Sequence, residues 1–176
     1  MSYCALVLFK NNKPIGELKF SNSWRGASLI WTALYDSYIK DPLKDYDNWL
    51  INEQGLERLW NLWRSDDLEY FESVVLLATL DGAIIKKENF KQFAKDLRLF
   101  VKKYNLDKGW VSHLTGWAKV FDESDCEAIG FYHTSVSENP WYTRDERKEE
   151  EIPVDLRKNK KWFSVYKEME ESYLDV

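Results

Sequence analysis

The sequence predicts one α+β domain over residues 1–176, with a small, mainly antiparallel sheet packed against about five helices. The length suits a single core, and 44% hydrophobic with 31% charged residues is a composition typical of folded domains. Short β-prone runs occur at the start, in the middle and late in the chain. Helical patterns separate these runs at irregular intervals, which favours α+β over a regularly alternating parallel sheet.

Two of the runs, residues 3–9 and 15–20, flank a turn-rich segment that contains Pro14, and together they predict an N-terminal β-hairpin. Residues 21–23 then offer capping oxygens to a helix that ends near Asp41. A second helix is expected after Asn52, because apolar residues recur there at helical spacing and the asparagine can cap them.

The middle of the chain permits two interpretations. Residues 73–80 are apolar and partly β-branched, and Asp81 and Gly82 form a turn signal before residues 83–85. This order predicts a central β-hairpin. A helix over residues 69–78 is the alternative.

The second half of the chain begins with its clearest helix, residues 88–104, in which apolar side chains form a continuous stripe. Another helix is expected from Asp107, a late strand over residues 128–136, and a closing helix over residues 162–173.

Residues 137–151 predict an exposed loop, since a turn at Asn139 and Pro140 leads into a dense run of charges. Trp141 and Tyr142 within it are expected to be either partly exposed anchors or rings folded back on the domain.

Composition restricts the classes of function. A net charge of −5 argues against a nucleic-acid-binding protein, and no apolar run is long enough to cross a membrane. The N-terminus lacks the basic start of a secretion signal. Only two cysteines are present, Cys4 and Cys126, so no disulfide framework is expected and the cytoplasm is the expected location.

No catalytic residue, metal site or cofactor is predicted. Cys126 lies among the carboxylates of residues 122–127, which oppose formation of a thiolate. His133 follows Tyr132 near the end of the late strand, where a site residue could stand. These two side chains, together with loop carboxylates, define an alternative site for a small enzyme or a ligand-binding protein.

The helix at residues 88–104 and the residue just before it also carry a basic ridge opposite the apolar stripe. Its members are Lys87, Lys91, Lys95, Arg98 and Lys102. A nucleic-acid-associated protein is therefore a second alternative, although a solvated helix face accounts for the same residues.

The leading prediction is a non-enzymatic protein that binds and occludes another protein. In being small, acidic and rich in Trp and Tyr, the chain is similar to bacterial immunity proteins and phage-encoded inhibitors. This similarity implies carboxylates that steer a basic partner and aromatic rings that hold it. The expected contact residues are Glu138, Trp141, Tyr142, Asp145 and Glu146, with a second patch at Asp45, Asp47, Trp49 and Asp66.

Overall fold

The structure is a computed structural model and describes residues 2–39, 46–47, 50–134, 138–145 and 149–174. The α-helices in these ranges are α1 (Ala27–Tyr38), α2 (Glu53–Arg64), α3 (Tyr70–Leu77), α4 (Phe90–Lys103), α5 (Ser112–Glu123) and α6 (Val165–Leu174). The strands are β1 (Tyr3–Lys10), β2 (Lys13–Ser21), β3 (Tyr46–Asp47), β4 (Leu50–Ile51), β5 (Ala83–Lys86), β6 (Ala128–Tyr132), β7 (Tyr142–Asp145), β8 (Glu150–Pro153) and β9 (Phe163–Ser164). Short 3₁₀ turns, Ser23–Arg25 and Lys87–Asn89, precede α1 and α4.

A five-stranded sheet in the order β2-β1-β6-β5-β9 organises the chain. Its first three pairings are antiparallel, whereas β9 joins β5 in parallel, so the sheet is mixed. The N-terminal hairpin is confirmed as β1 and β2. Two further pairs, β3 with β4 and β7 with β8, form small separate hairpins. The α+β class is confirmed, and α3, which was expected only as an alternative to a hairpin, brings the number of described helices to one more than the five expected.

Alternation along the strands divides the apolar residues between the two faces of this sheet. Cys4 and Leu6 of β1 lie in the main core, which contains the inner sides of the helices. Val7 and Phe9 of the same strand lie in a smaller core on the opposite face. The predicted stripe of α4 is confirmed as part of the main core, because Phe93 and its apolar neighbours are buried there.

The prediction of a central hairpin is wrong, and the helical alternative for residues 69–78 is the one observed. At the start of α3, the side chains of Glu69 and Glu72 form a reciprocal capping box with each other's backbone. Val74 and Leu77 illustrate why the pattern misled, since residues 72–77 are buried on every side of this helix. The turn at Gly82, with a φ of 85°, leads instead into β5, which pairs with β6.

The prediction of an exposed loop over residues 137–151 is also wrong in part. Residues 142–145 and 150–153 form the β7–β8 hairpin, which no alternation of apolar residues announces because β8 is exposed throughout. Trp141 and Val154 lie side by side at the open end of this hairpin, where the N–H of Val154 donates to the carbonyl of Trp141 at 2.9 Å, and both pack into the smaller core. The hairpin is thereby attached to the open face of the main sheet.

None of the helices within the described ranges has the length and apolar character that crossing a membrane requires.

Candidate functional site: a tryptophan pocket

One site candidate is a cavity of about 770 Å³ beside the first turn of α1. Three indole rings of the described residues line it, those of Trp24, Trp31 and Trp110, and we call it the tryptophan pocket. Its other described lining residues are Ser2, Asn22, Ser23, Ala27, Ser28, Leu29, Thr32, Ile51, His133 and Thr134. The wall thus joins the start of β1, the α1 region, β4, the turn before α5 and the end of β6.

The C-terminal end of α3 holds two of the lining side chains in place. Trp31 donates from Nε1 to Oγ1 of Thr79 at 2.8 Å, and that hydroxyl donates to the carbonyl of Leu76 at 2.7 Å. His133 donates from Nε2 to the carbonyl of Ala78 at 2.8 Å. Carbonyls at the C-terminal end of a helix lack the N–H of a following turn, and the carbonyl of Ala78 accepts the ring N–H of His133 instead.

The imidazole of His133 is a neutral group at the wall of the pocket. A carbonyl can only accept, so the proton lies on Nε2 and Nδ1 is an acceptor. The ring is 9% exposed and stacks on Phe131, with centroids 5.5 Å apart and an interplanar angle of 7°. Burial lowers the pKa of His133 to about 4, against weaker opposing effects of the Ala78 hydrogen bond and the Asp81 charge.

A tight turn positions Trp24 in the wall of the pocket. Asn22 has a left-handed φ of 69°, a conformation that asparagine tolerates better than most residues. Its side-chain oxygen accepts from the backbone N–H of Trp24 at 3.3 Å, and its own N–H donates to the carbonyl of Ser2 at 2.8 Å. The turn therefore ties the α1 region to the start of β1.

Trp110 forms the exposed rim of the pocket, since 54% of the residue is accessible to solvent. The guanidinium of Arg25 lies over its ring at 5.7 Å from the centroid, within the range of a cation–π interaction. Arg25 also donates to Oγ of Ser112 at 3.3 Å. The helix expected from Asp107 would have included Trp110, but α5 begins only at Ser112.

Four buried side-chain nitrogens have no hydrogen-bond partner among the described residues, and they belong to neighbouring side chains. They are Nε of Arg25, Nε2 of His113, Nε1 of Trp117 and Nδ1 of His133. The Trp117 and His133 rings are 6.2 Å apart, and Phe20 contacts the rings of both His113 and Trp117. Proteins satisfy most buried polar atoms, so this corner next to the tryptophan pocket is an unusual concentration of unused donors and acceptors.

The structure separates the two residues of the alternative site. Tyr132 lies on the opposite face of the sheet, in the smaller core, where its ring meets Tyr3 edge to face. His133 stacks on Phe131 and lines the pocket, because successive residues along an extended chain point to opposite sides. No described carboxylate lines the pocket, so the expected combination of His133 with loop carboxylates is not assembled there.

The expected partner-binding loop is only partly at the surface. Trp141 is 1% exposed, so of the two alternatives the ring folded back on the domain is observed and the exposed anchor is not, and its Nε1 donates to the carbonyl of Phe131 at 2.7 Å. Tyr142 is half-buried, and Asp145 is also of intermediate exposure. Glu138 is exposed.

The second expected patch is described at few positions. Asp66 is exposed and has a left-handed φ of 58°. Asp47 contributes its backbone to β3. Asp45, Trp49 and, from the loop, Glu146 lie outside the described residues.

The basic ridge of α4 is partly neutralised by two carboxylates, Asp122 within α5 and Asp125 just after it. Lys87 pairs with Asp125 at 2.6 Å, while Lys91, at 3.6 Å, and Arg98 both pair with Asp122. Exposed ion pairs of this kind contribute little to stability, but they remove charge from the surface that a nucleic acid would meet. Two of the acidic neighbours of Cys126 in sequence are therefore directed at α4.

The sequence did not indicate the pocket, because Trp110 stands far along the chain from Trp24 and Trp31. The available signal was the Trp count of nine, which did not say which rings would converge. Within the described ranges, no cluster of His, Cys, Asp and Glu side chains could hold a metal ion. Comparisons with models of protein families, with curated proteins and with solved structures find no match to this chain.

Proposed function

We propose that this protein is a binding protein that holds a small, mainly apolar molecule in the tryptophan pocket. The observation that carries the proposal is the cavity itself: about 770 Å³ lies within the range of roughly 300–1,000 Å³ that is usual for small-molecule sites. Indole rings supply broad apolar surface, and a few hydroxyls and one imidazole supply polar contacts. This combination is typical of ligand sites.

Binding is better supported than catalysis at this site. His133 is the one titratable side chain among the described lining residues, and its N–H is held by Ala78. General acid or base catalysis needs a group that can exchange a proton near the working pH. The pKa of His133 is near 4 and its Nε2–H donates to Ala78, so near neutral pH the ring can offer a ligand only Nδ1, as a hydrogen-bond acceptor.

The test is ligand-observed NMR with tryptophol, a flat neutral probe that carries one hydroxyl, on the wild type and on a variant with a filled pocket. Ser28→Phe adds bulk to the wall, whereas Ser37→Phe makes the same change on the exposed side of α1, away from the pocket. Saturation transfer to tryptophol should be seen with the wild type and with Ser37→Phe, and should be lost with Ser28→Phe. Equal transfer in all three proteins would contradict the proposed site.

A protein partner is the second candidate, and the exposure of Trp110 at the rim of the pocket favours it. Trp and Arg are enriched among the residues that dominate protein interfaces, and here Arg25 lies over that ring. An inhibitor or immunity-type protein of the cytoplasm would use this rim together with exposed carboxylates such as Glu138. In a pull-down from the native host, a stoichiometric partner that Trp110→Ala no longer retains would support this candidate. Undiminished capture by Trp110→Ala would count against it.

A further inference from the structure

We infer that the ligand of the tryptophan pocket is an uncharged molecule with a flat apolar body and neutral hydrogen-bonding groups. The inference rests on the proposed function and specifies the chemical class of its ligand. It follows from which side chains form the wall, from the cation that lies outside the wall, and from the polar atoms that remain inside it.

No described lining residue is Asp, Glu, Lys or Arg, although these residues make up 31% of the chain. A charged ligand entering the pocket would leave water without gaining an opposite charge from the wall. Burying an unpaired ion is far more costly than burying a polar group that finds a hydrogen bond. The described part of the wall therefore selects against both anions and cations.

Arg25 lies over the rim residue Trp110 and is not one of the described residues of the wall. Its guanidinium lies over Trp110 and donates to Ser112, so its interactions are with the rim and with α5. A second cation close to Trp110 would be repelled by Arg25, which offsets the attraction that three indole faces could otherwise offer to an ammonium group. Cation–π binding is thus disfavoured at this rim.

The polar side chains that the described residues contribute to the wall are neutral. Ser23, Ser28 and Thr32 bring hydroxyls, which both donate and accept, and His133 brings an uncharged imidazole. Groups of this kind match a hydroxyl, carbonyl or amide on a ligand. They do not balance a full charge.

The experiment compares three probes that share an indole ring and differ in charge at pH 7: tryptophol, indole-3-acetate and tryptamine. Dissociation constants are measured by NMR titration, with Ser28→Phe as the check that binding occurs in the pocket. We expect the neutral tryptophol to bind at least tenfold more tightly than either charged probe. Equal or tighter binding of indole-3-acetate or tryptamine would overturn the inference while leaving the proposed function intact. Binding of none of the three would overturn both.

A charge placed on the wall provides the second arm. Thr32→Glu puts a carboxylate among the lining residues, whereas Thr115→Glu makes the same change at an exposed position of α5 outside the pocket. In Thr32→Glu, and not in Thr115→Glu, the affinity for tryptamine should rise relative to the affinities for tryptophol and indole-3-acetate. If Thr32→Glu retains the wild-type order, or Thr115→Glu changes it equally, the charge of the wall does not set the selectivity and the inference is wrong.

Discussion

The indole ring of Trp141 lies directly against the backbone of Gly130. A Cβ atom built on Gly130 would come within 2.6 Å of Cζ2 of Trp141 and 3.1 Å of Cε2 of Phe9. The indole also donates to the carbonyl of Phe131 and meets the Phe9 ring edge to face at 5.2 Å. Strand β6 can carry this contact only where it has no side chain, so the glycine and the tryptophan form one packing unit.

Gly130→Ala should therefore destabilise the protein by about 1–3 kcal/mol, because the added methyl group displaces a buried ring. Gly16→Ala is the matched control, since Gly16 lies in β2 of the same sheet and a Cβ there meets no atom within 4 Å. Urea unfolding of both variants measures the difference. Equal midpoints for the two variants would show that Trp141 is not packed on Gly130.

Trp141→Ala should lower the free energy of unfolding by about 3–5 kcal/mol, the usual loss for a large buried aromatic side chain. Trp110→Ala should change it by less than about 1 kcal/mol, because more than half of that residue is exposed. Thermal and urea unfolding provide the comparison. A small effect of Trp141→Ala would show that this ring is an exposed anchor and is not packed in the core.

His133 should make stability depend on pH. Its folded-state pKa of about 4 lies below the ordinary value of 6.5, so the unfolded chain takes up a proton first as the pH falls. Its contribution is present above pH 6.5 and declines as the pH falls towards 4, by up to roughly 3 kcal/mol.

His133→Gln removes this titration and leaves the second histidine, His113, in place. The free energy of unfolding is measured for both proteins at intervals from pH 7.5 to pH 4. As the pH falls, the stability of the wild type should decrease relative to that of the variant. A constant difference across that range would contradict a neutral, buried His133.

Glu72 is fully buried and accepts hydrogen bonds from Tyr38 at 2.6 Å, from Lys103 at 2.7 Å and from Tyr104. Burial alone would raise the pKa of Glu72, but these hydrogen bonds outweigh it and lower the pKa. The carboxylate thus stabilises the fold above the ordinary pKa of a glutamate, and this contribution is lost as the pH falls through the lowered value.

Lys103→Met removes the strongest of these bonds while burial remains, so the pKa of Glu72 should rise and stability at pH 7 should fall by about 1–3 kcal/mol. Lys102→Met, at an exposed neighbouring position, should change neither quantity appreciably. Carbon-13 titration of the glutamate carboxyls and urea unfolding measure the two effects. An unchanged pKa in Lys103→Met would show that the pair is not formed in solution.

Local signals in the sequence determined the elements that depend on neighbours along the chain. The N-terminal hairpin and α4 follow from alternation and from a helical stripe, because the residues that create those patterns also form the element. Asn52 is a further case: its side chain accepts from the N–H of Gly55 at 3.0 Å, as expected of the cap of α2.

Tertiary structure decided the features that depend on residues far apart in sequence. An apolar run such as residues 73–77 is compatible with a strand or a helix, and only its enclosure on every side made α3 the stable choice. Trp141 is buried amid a polar segment because Gly130 leaves space for its ring. The tryptophan pocket likewise exists because α1, the turn before α5 and the end of β6 meet. Burial and packing arise between distant segments, and no local pattern encodes which of them will touch.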